Sequence, residues 1–197
     1  MTYMTRSRNT PTEEKKAILE IAAIPVSQRF DTYLGLPALV GKSRTKEFKT
    51  IIDRIEKRQK DWKLRFLSQA GKEILLKAVV QAIPTYSMSV FLLPKALCSN
   101  INSMMQKFWW GHKSNESRIH WMSWERLGDN KEKGGMGFRE FSCFNKALLA
   151  KQYWRLWKTP DSLVAKIMKA KYFPKKEVLD ANIGSKPSYA WRSIWSS

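Results

Sequence analysis

Apolar residues in this chain recur three and four apart, in runs that start at serine or threonine and stop at proline or glycine. That pattern limits the fold more than any other feature. It makes a set of amphipathic helices, each with one face that must be covered. Thr12 can cap a short helix through Ile24, with Ile18, Leu19 and Ala22 on one face and Pro25 as its stop. Tyr33 to Leu36 reads as a strand or extended segment halted by Pro37. Leu39-Val40-Gly41 continues it, and Gly41 opens a basic turn.

Thr45 or Ser43 caps the next helix, which runs to about Lys60. Phe48, Ile51, Ile52, Ile55 and Trp62 form its stripe, with Lys49, Arg54, Lys57 and Lys60 opposite. Ser68 caps a helix from Gln69 to Ile83, where Pro84 ends or kinks it. Tyr86 to Leu93 is too short for periodicity to separate helix from strand. Pro94 suits the first turn of a helix that turns Ile101, Met104, Met105 and Phe108 inward and stops at Gly111. From His112 to Asp129 the chain is mixed and loop-like, with Trp121 and Trp124 near a short helical turn. Lys133-Gly-Gly-Met-Gly-Phe138 is a glycine turn. Phe144, Leu148, Leu149, Tyr153, Leu156 and Trp157 mark another helix, ending before Pro160. Asp161 or Ser162 caps a last one through Tyr172. After Pro174 the tail is polar apart from Trp191, Ile194 and Trp195.

Hydrophobic residues make up 43% of the 197, enough to build a core and to argue against wholesale disorder. Lys and Arg number 36 against 17 Asp and Glu, a net charge of +19. The cations are spread along the chain, which favours folded elements with basic faces over a basic tail. Such a surplus attracts polyanions, nucleic acid first among them. The ordinary alternative is a solvated basic surface without a specific partner. The longest apolar stretch, Ile74 to Ile83, is interrupted by Lys77 and Gln81, so no membrane span is expected. The first ten residues lack acids and are faintly similar to a transit peptide, without a clear amphipathic helix. Cys98 and Cys143 are too few for a disulfide framework, so a reducing compartment is the default.

Several short motifs run in order along the chain. They are Tyr33-Leu-Gly-Leu-Pro37, Trp62 with Leu67-Ser-Gln-Ala-Gly71, Ile83-Pro-Thr-Tyr86 and Phe91-Leu-Leu-Pro94. Lys107-Phe-Trp-Trp-Gly111, His120-Trp-Met-Ser-Trp124, Gly134-Gly-Met-Gly137 and Asn145-Lys-Ala-Leu-Leu-Ala-Lys151 follow. In this order they resemble the region after the palm of LINE-type (non-LTR) retrotransposon reverse transcriptases, particularly those of plants. The resemblance implies the end of the palm, a thumb, and the helical region after it. A thumb packs against the template–primer duplex and holds its backbone. The expected fold is therefore mainly α: a helical thumb-like bundle with a short strand or hairpin near the N-terminus, plus a small C-terminal helical lobe. The expected boundaries are a residual palm-end segment at 1–32, the thumb-like domain at 33–111, a loop-rich connector at 112–140 and a truncated C-terminal lobe at 141–197.

Holding a duplex without sequence choice needs Lys and Arg on rigid elements, with helix N-termini and backbone amides aimed at phosphates. Lys42, Arg44 and Lys46 sit on the glycine turn and at a helix start. Lys63, Arg65 and Lys72 flank the cap at Ser68. These residues are the candidate nucleic-acid contacts, weighed against a solvated basic face with an ordinary cap. Gly41-Lys-Ser43 is not a nucleotide-binding P-loop, because the earlier glycine is absent. The nine tryptophans invite a stacking role. Yet Trp121/Trp124, Trp154/Trp157 and Trp191/Trp195 fall three or four apart on single helical faces, so core packing is expected for them.

Cys98, His112, His120 and Cys143 fit no compact zinc pattern, and no metal or other cofactor is expected. The resemblance implies that catalysis would need adjacent aspartates holding two metal ions. Here Asp31, Asp53, Asp61, Asp129, Asp161 and Asp180 are scattered, and no catalytic residue is nominated. The expectation is a non-catalytic fragment that grips RNA–DNA or duplex backbones non-specifically and meets a missing palm region, with no membrane partner. Two alternatives stay open: a decayed reading frame without selected activity, or a scaffold piece of a larger reverse transcriptase. Nuclear action is implied for an intact element, and mitochondrial coding is open.

Overall fold

Helices account for nearly every element of the computed structural model, which describes residues 13, 32–33, 35–37, 40–41, 44–63, 67–111 and 119–197. The fold is mainly α with one short hairpin near the N-terminus. Contacts divide the chain into two units, Met1–Lys42 and Ser43–Ser197. The boundaries expected at 111/112 and 140/141 both fall inside the second unit. The helix expected from Thr12 to Ile24 lies outside the described residues except for Glu13, which is helical.

In the first unit, β1 (Thr32–Tyr33) pairs antiparallel with β2 (Leu36–Pro37), Tyr33 opposite Leu36. The segment read as one strand from Tyr33 to Leu36 is thus the fold-back of a hairpin. Gly35 makes the reversal at φ 79°, a conformation that costs a side-chain-bearing residue energy.

In the second unit, α1 (Arg44–Glu47) and α2 (Lys49–Lys63) follow the basic turn. Phe48, Ile51, Ile52 and Ile55 are buried as their spacing requires, and Trp62 packs on Phe108 with ring centroids 5.7 Å apart. Ser68 caps α3 (Gln69–Leu75) by accepting the Gly71 amide at 3.2 Å. The helix expected to reach Ile83 is α only to Leu75 and widens to a π-turn over Leu76–Val80. Gln81 N–H reaches back five residues to Leu76 O at 3.0 Å. Pro84 supplies no N–H to continue the ladder; the Thr85 N–H turns to Ala82 O at 3.1 Å, and the Thr85 hydroxyl satisfies Gln81 O at 2.9 Å.

The undecided run after Pro84 is a short helix, α4 (Thr85–Met88), followed by an irregular segment to Pro94. Next, α5 (Lys95–Trp109) buries Ile101, Met105 and Phe108, with Met104 half-buried. Ser123 caps α6 (Trp124–Gly128), and the glycine turn folds back on it through Met136 N–H to Leu127 O at 2.9 Å. Then α7 (Phe141–Lys158) begins on a side-chain cap from Glu140, which accepts Ser142 N–H at 2.9 Å and Cys143 N–H at 2.5 Å. Ser162, not Asp161, caps α8 (Leu163–Tyr172). Past the polar tail, α9 (Tyr189–Trp195) buries Trp191 against Tyr172 and Phe173 at 4.9 and 5.6 Å.

Two features tie these helices together. An aromatic ladder runs from Phe48 to Phe91 to Tyr189, with centroid distances of 5.7 and 5.6 Å, and joins α9 to the start of α2. The Tyr189 hydroxyl also donates to Leu92 O. Asn145, on α7 and 1% exposed, fastens the irregular segment. Its amide donates to Met88 O at 2.7 Å and Phe91 O at 2.9 Å, and its carbonyl accepts Leu93 N–H at 2.7 Å. An irregular stretch cannot pair its own backbone, so a buried side-chain amide supplies the missing partners.

Candidate nucleic-acid interface

The residues expected to hold phosphate behave differently from one another. Lys42 and Arg65 lie outside the described residues, as does the side chain of Lys63, whose backbone closes α2. Arg44 and Lys46 share α1 and are both exposed. Arg44 has a structural role as well: its guanidinium stands over the Tyr189 ring, 5.0 Å from the centroid. Burial raises the Tyr189 hydroxyl's pKa, and the Arg44 charge works against that rise.

Ser68 is exposed, and its hydroxyl is engaged by Gly71 N–H. Lys72, one turn further, is half-buried and donates to Trp109 O at 3.3 Å. Its ammonium therefore meets the C-terminal carbonyls of α5, where the helix dipole favours a cation. Part of its donor capacity points into the fold. The structure groups Arg44 with Lys46 and Ser68 with Lys72, each pair within a single helical turn or cap.

The outer side of α2 adds a cluster that the sequence reading only partly singled out. Arg54, Lys57 and Arg58, with Asp61 and Ile83, line a recess of about 390 Å³. All three cations are exposed, Lys57 opposite the buried Ile51, Ile52 and Ile55 and Arg54 and Arg58 flanking that stripe. Three cations against one carboxylate leave the recess positive. Arg58 was legible in the sequence as another cation on the polar face. Only the position of Ile83, after the π-turn, shows that this part of the face is concave.

The tryptophan expectation needs correcting. Trp191 is fully buried and Trp124 stacks on Phe138 at 4.9 Å, as core packing requires. Trp121, Trp154 and Trp157 are exposed by 81%, 58% and 44%. Spacing of three or four puts residues on one face but does not say which face meets the core. On α7 the inward face is already filled by Phe141, Asn145, Leu149 and Leu156.

Among the described residues, no group of three His, Cys, Asp or Glu side chains is placed to hold a metal ion. Cys98 is buried, and burial followed by the Glu140 charge pushes its thiol up to about 11. Cys143 is exposed, and His120 stacks on Trp110 at 5.9 Å. His112 lies outside the described residues. No helix among them is long and apolar enough to cross a membrane.

No family model matches the chain. Two plant relatives do, both from Arabidopsis thaliana. The chain is 44% identical over 114 residues to the "Uncharacterized mitochondrial protein AtMg00310", covering 57% of this chain and 74% of that one. It is 31% identical over 162 residues to the "Putative ribonuclease H protein At1g65750", covering 82% of this chain and 26% of that one. The chain belongs to the family of the first. It spans about a quarter of the length of the second. Both matches are consistent with a plant retrotransposon-related region.

Proposed function

We propose that this chain is a non-catalytic segment derived from a retrotransposon reverse transcriptase, similar to its thumb, and that it grips the backbone of RNA–DNA or duplex nucleic acid without sequence choice. The observation that carries the reading is the recess formed by Arg54, Lys57 and Arg58 on a helix anchored by its buried Ile51, Ile52 and Ile55. Arg44, Lys46 and the Ser68 cap supply further contacts, and Lys42, Lys63 and Arg65 belong to the same basic segment. A net charge of +19 provides the long-range attraction. The scattered aspartates support a chain that holds nucleic acid but does not join nucleotides. The partner against which such a segment would pack is the palm region of a reverse transcriptase.

The test is the affinity of the chain for an RNA–DNA hybrid as salt is raised. With six to ten phosphate contacts, binding should weaken roughly 10³–10⁵-fold between 50 and 200 mM salt. Affinity independent of salt, or no binding at low salt, overturns the reading. A decayed reading frame predicts a different result in a second measurement: the full chain would unfold without a cooperative transition. The Asn145 clamp is a detail that only a fixed packing satisfies.

A further inference from the structure

The outward face of α7 carries Lys151, Trp154, Arg155, Trp157 and Lys158, all exposed. Lys151, Trp154 and Lys158 lie opposite Leu149 and Leu156, which are buried, with Trp157 and Arg155 on the two flanks. Two tryptophans left 58% and 44% exposed on one helix face are unusual, because burying an indole is among the larger gains open to a fold. The rings meet edge to face, centroids 4.8 Å apart and planes inclined by 63°. An edge-to-face contact covers only one ring face of the two indoles, so flat surface remains for a third ring to stack. No acidic residue lies within α7, and three cations are interleaved with the two rings.

We infer that this face is a stacking site for unpaired bases of single-stranded nucleic acid. Aromatic rings would hold the bases and the flanking cations the phosphates, the combination by which strands are bound without sequence preference. A purely apolar partner is disfavoured, because docking it would desolvate Lys151, Arg155 and Lys158 without compensation. The inference is independent of the duplex grip proposed for α2, since it uses a different helix and a different form of nucleic acid.

The experiment compares fluorescence anisotropy of two labelled strands of equal length, oligothymidylate and an abasic strand with the same phosphates. Proteins are the full chain, the W154A/W157A variant and the W154F/W157F variant, with an RNA–DNA hybrid titrated in parallel. The wild type should prefer the base-bearing strand by roughly tenfold or more. The alanine variant should lose that preference while its affinities for the abasic strand and the hybrid stay unchanged, and the phenylalanine variant should keep most of it. Equal binding of the two strands by the wild type overturns the inference and needs no variant. Undiminished preference in the alanine variant also overturns it. So does a wild-type dimer, seen by sedimentation, that becomes monomeric in W154A/W157A, since the face would then join two copies of this chain. Loss of hybrid binding in every protein would defeat the duplex reading and leave this one standing.

Discussion

Asn145 is the clearest case of one side chain holding a backbone segment in place. Three buried main-chain groups of residues 88–93 depend on it. Asn145→Ala leaves all three without their partner, and each unsatisfied group costs about 1–3 kcal/mol. A loss of about 3 kcal/mol or more is expected, measured by urea unfolding against wild type. A loss under about 1 kcal/mol would mean that the segment finds other partners. Gly135 is a second such residue. A Cβ there would lie 2.1 Å from Asp129 O and 2.8 Å from Arg126 O, both backbone atoms that cannot swing aside. Gly135→Ala should therefore cost about 2 kcal/mol or more, with Gly134→Asn as a milder control because nothing lies within 4 Å of its Cβ position. The sequence marks both residues, one as an amide on an otherwise apolar helix face, the other as part of a glycine run. It does not say what each touches. The tryptophans fail for a related reason: periodicity pairs Trp154 with Trp157 but cannot tell an inward pair from an outward one.

Caps and stripes were the most legible elements, because their causes are local. Ser68 and Ser162 cap the helices they precede, and Phe48, Ile51, Ile52 and Ile55 are buried as a set. The π-turn after Leu75 was not legible, because the residues Leu76–Val80 carry no local signal that separates it from an α-helix; Leu76 and Val80 are buried in it. Near this turn, Glu73 joins α3 to the 3-10 turn Lys131–Lys133: its carboxylate meets Lys77 at 2.8 Å and Lys131 at 3.1 Å. Hydrogen bonds from Lys77 and then Lys131 lower its pKa below the ordinary value of 4.5, outweighing the opposing effect of burial. A carboxylate with a lowered folded-state pKa stabilises fully above its unfolded value and loses that contribution as pH falls through the folded one. Stability owed to Glu73 should therefore be complete above pH 4.5 and decline below it. Glu73→Gln should flatten that part of the dependence of the thermal midpoint on pH. An unchanged acid limb in the variant would show that the three-residue link carries no net stability, as exposed pairs often do not.

At the scale of the molecule, the charge balance was fully readable, and its arrangement was not. The short extended element near Tyr33 was expected as a strand or hairpin, and a mainly α chain follows from the periodicity. The hairpin's register does not, because two residues on each side carry too little pattern to fix where the chain turns. Nor does the packing of α9 against the start of α2, which joins residues far apart in sequence through Phe91 and Tyr189. The account turns on whether the positive recess on α2 holds phosphates. The direct measurement is the slope of log affinity against log salt for an RNA–DNA hybrid, taken for wild type and for Arg54→Ala/Lys57→Ala/Arg58→Ala. Each phosphate contact contributes about 0.9 to that slope for B-form DNA, and a value near that is expected here. The variant's slope should be shallower by about 2 to 3. Identical slopes for the two proteins would contradict the account, because the recess would then take no part in the grip.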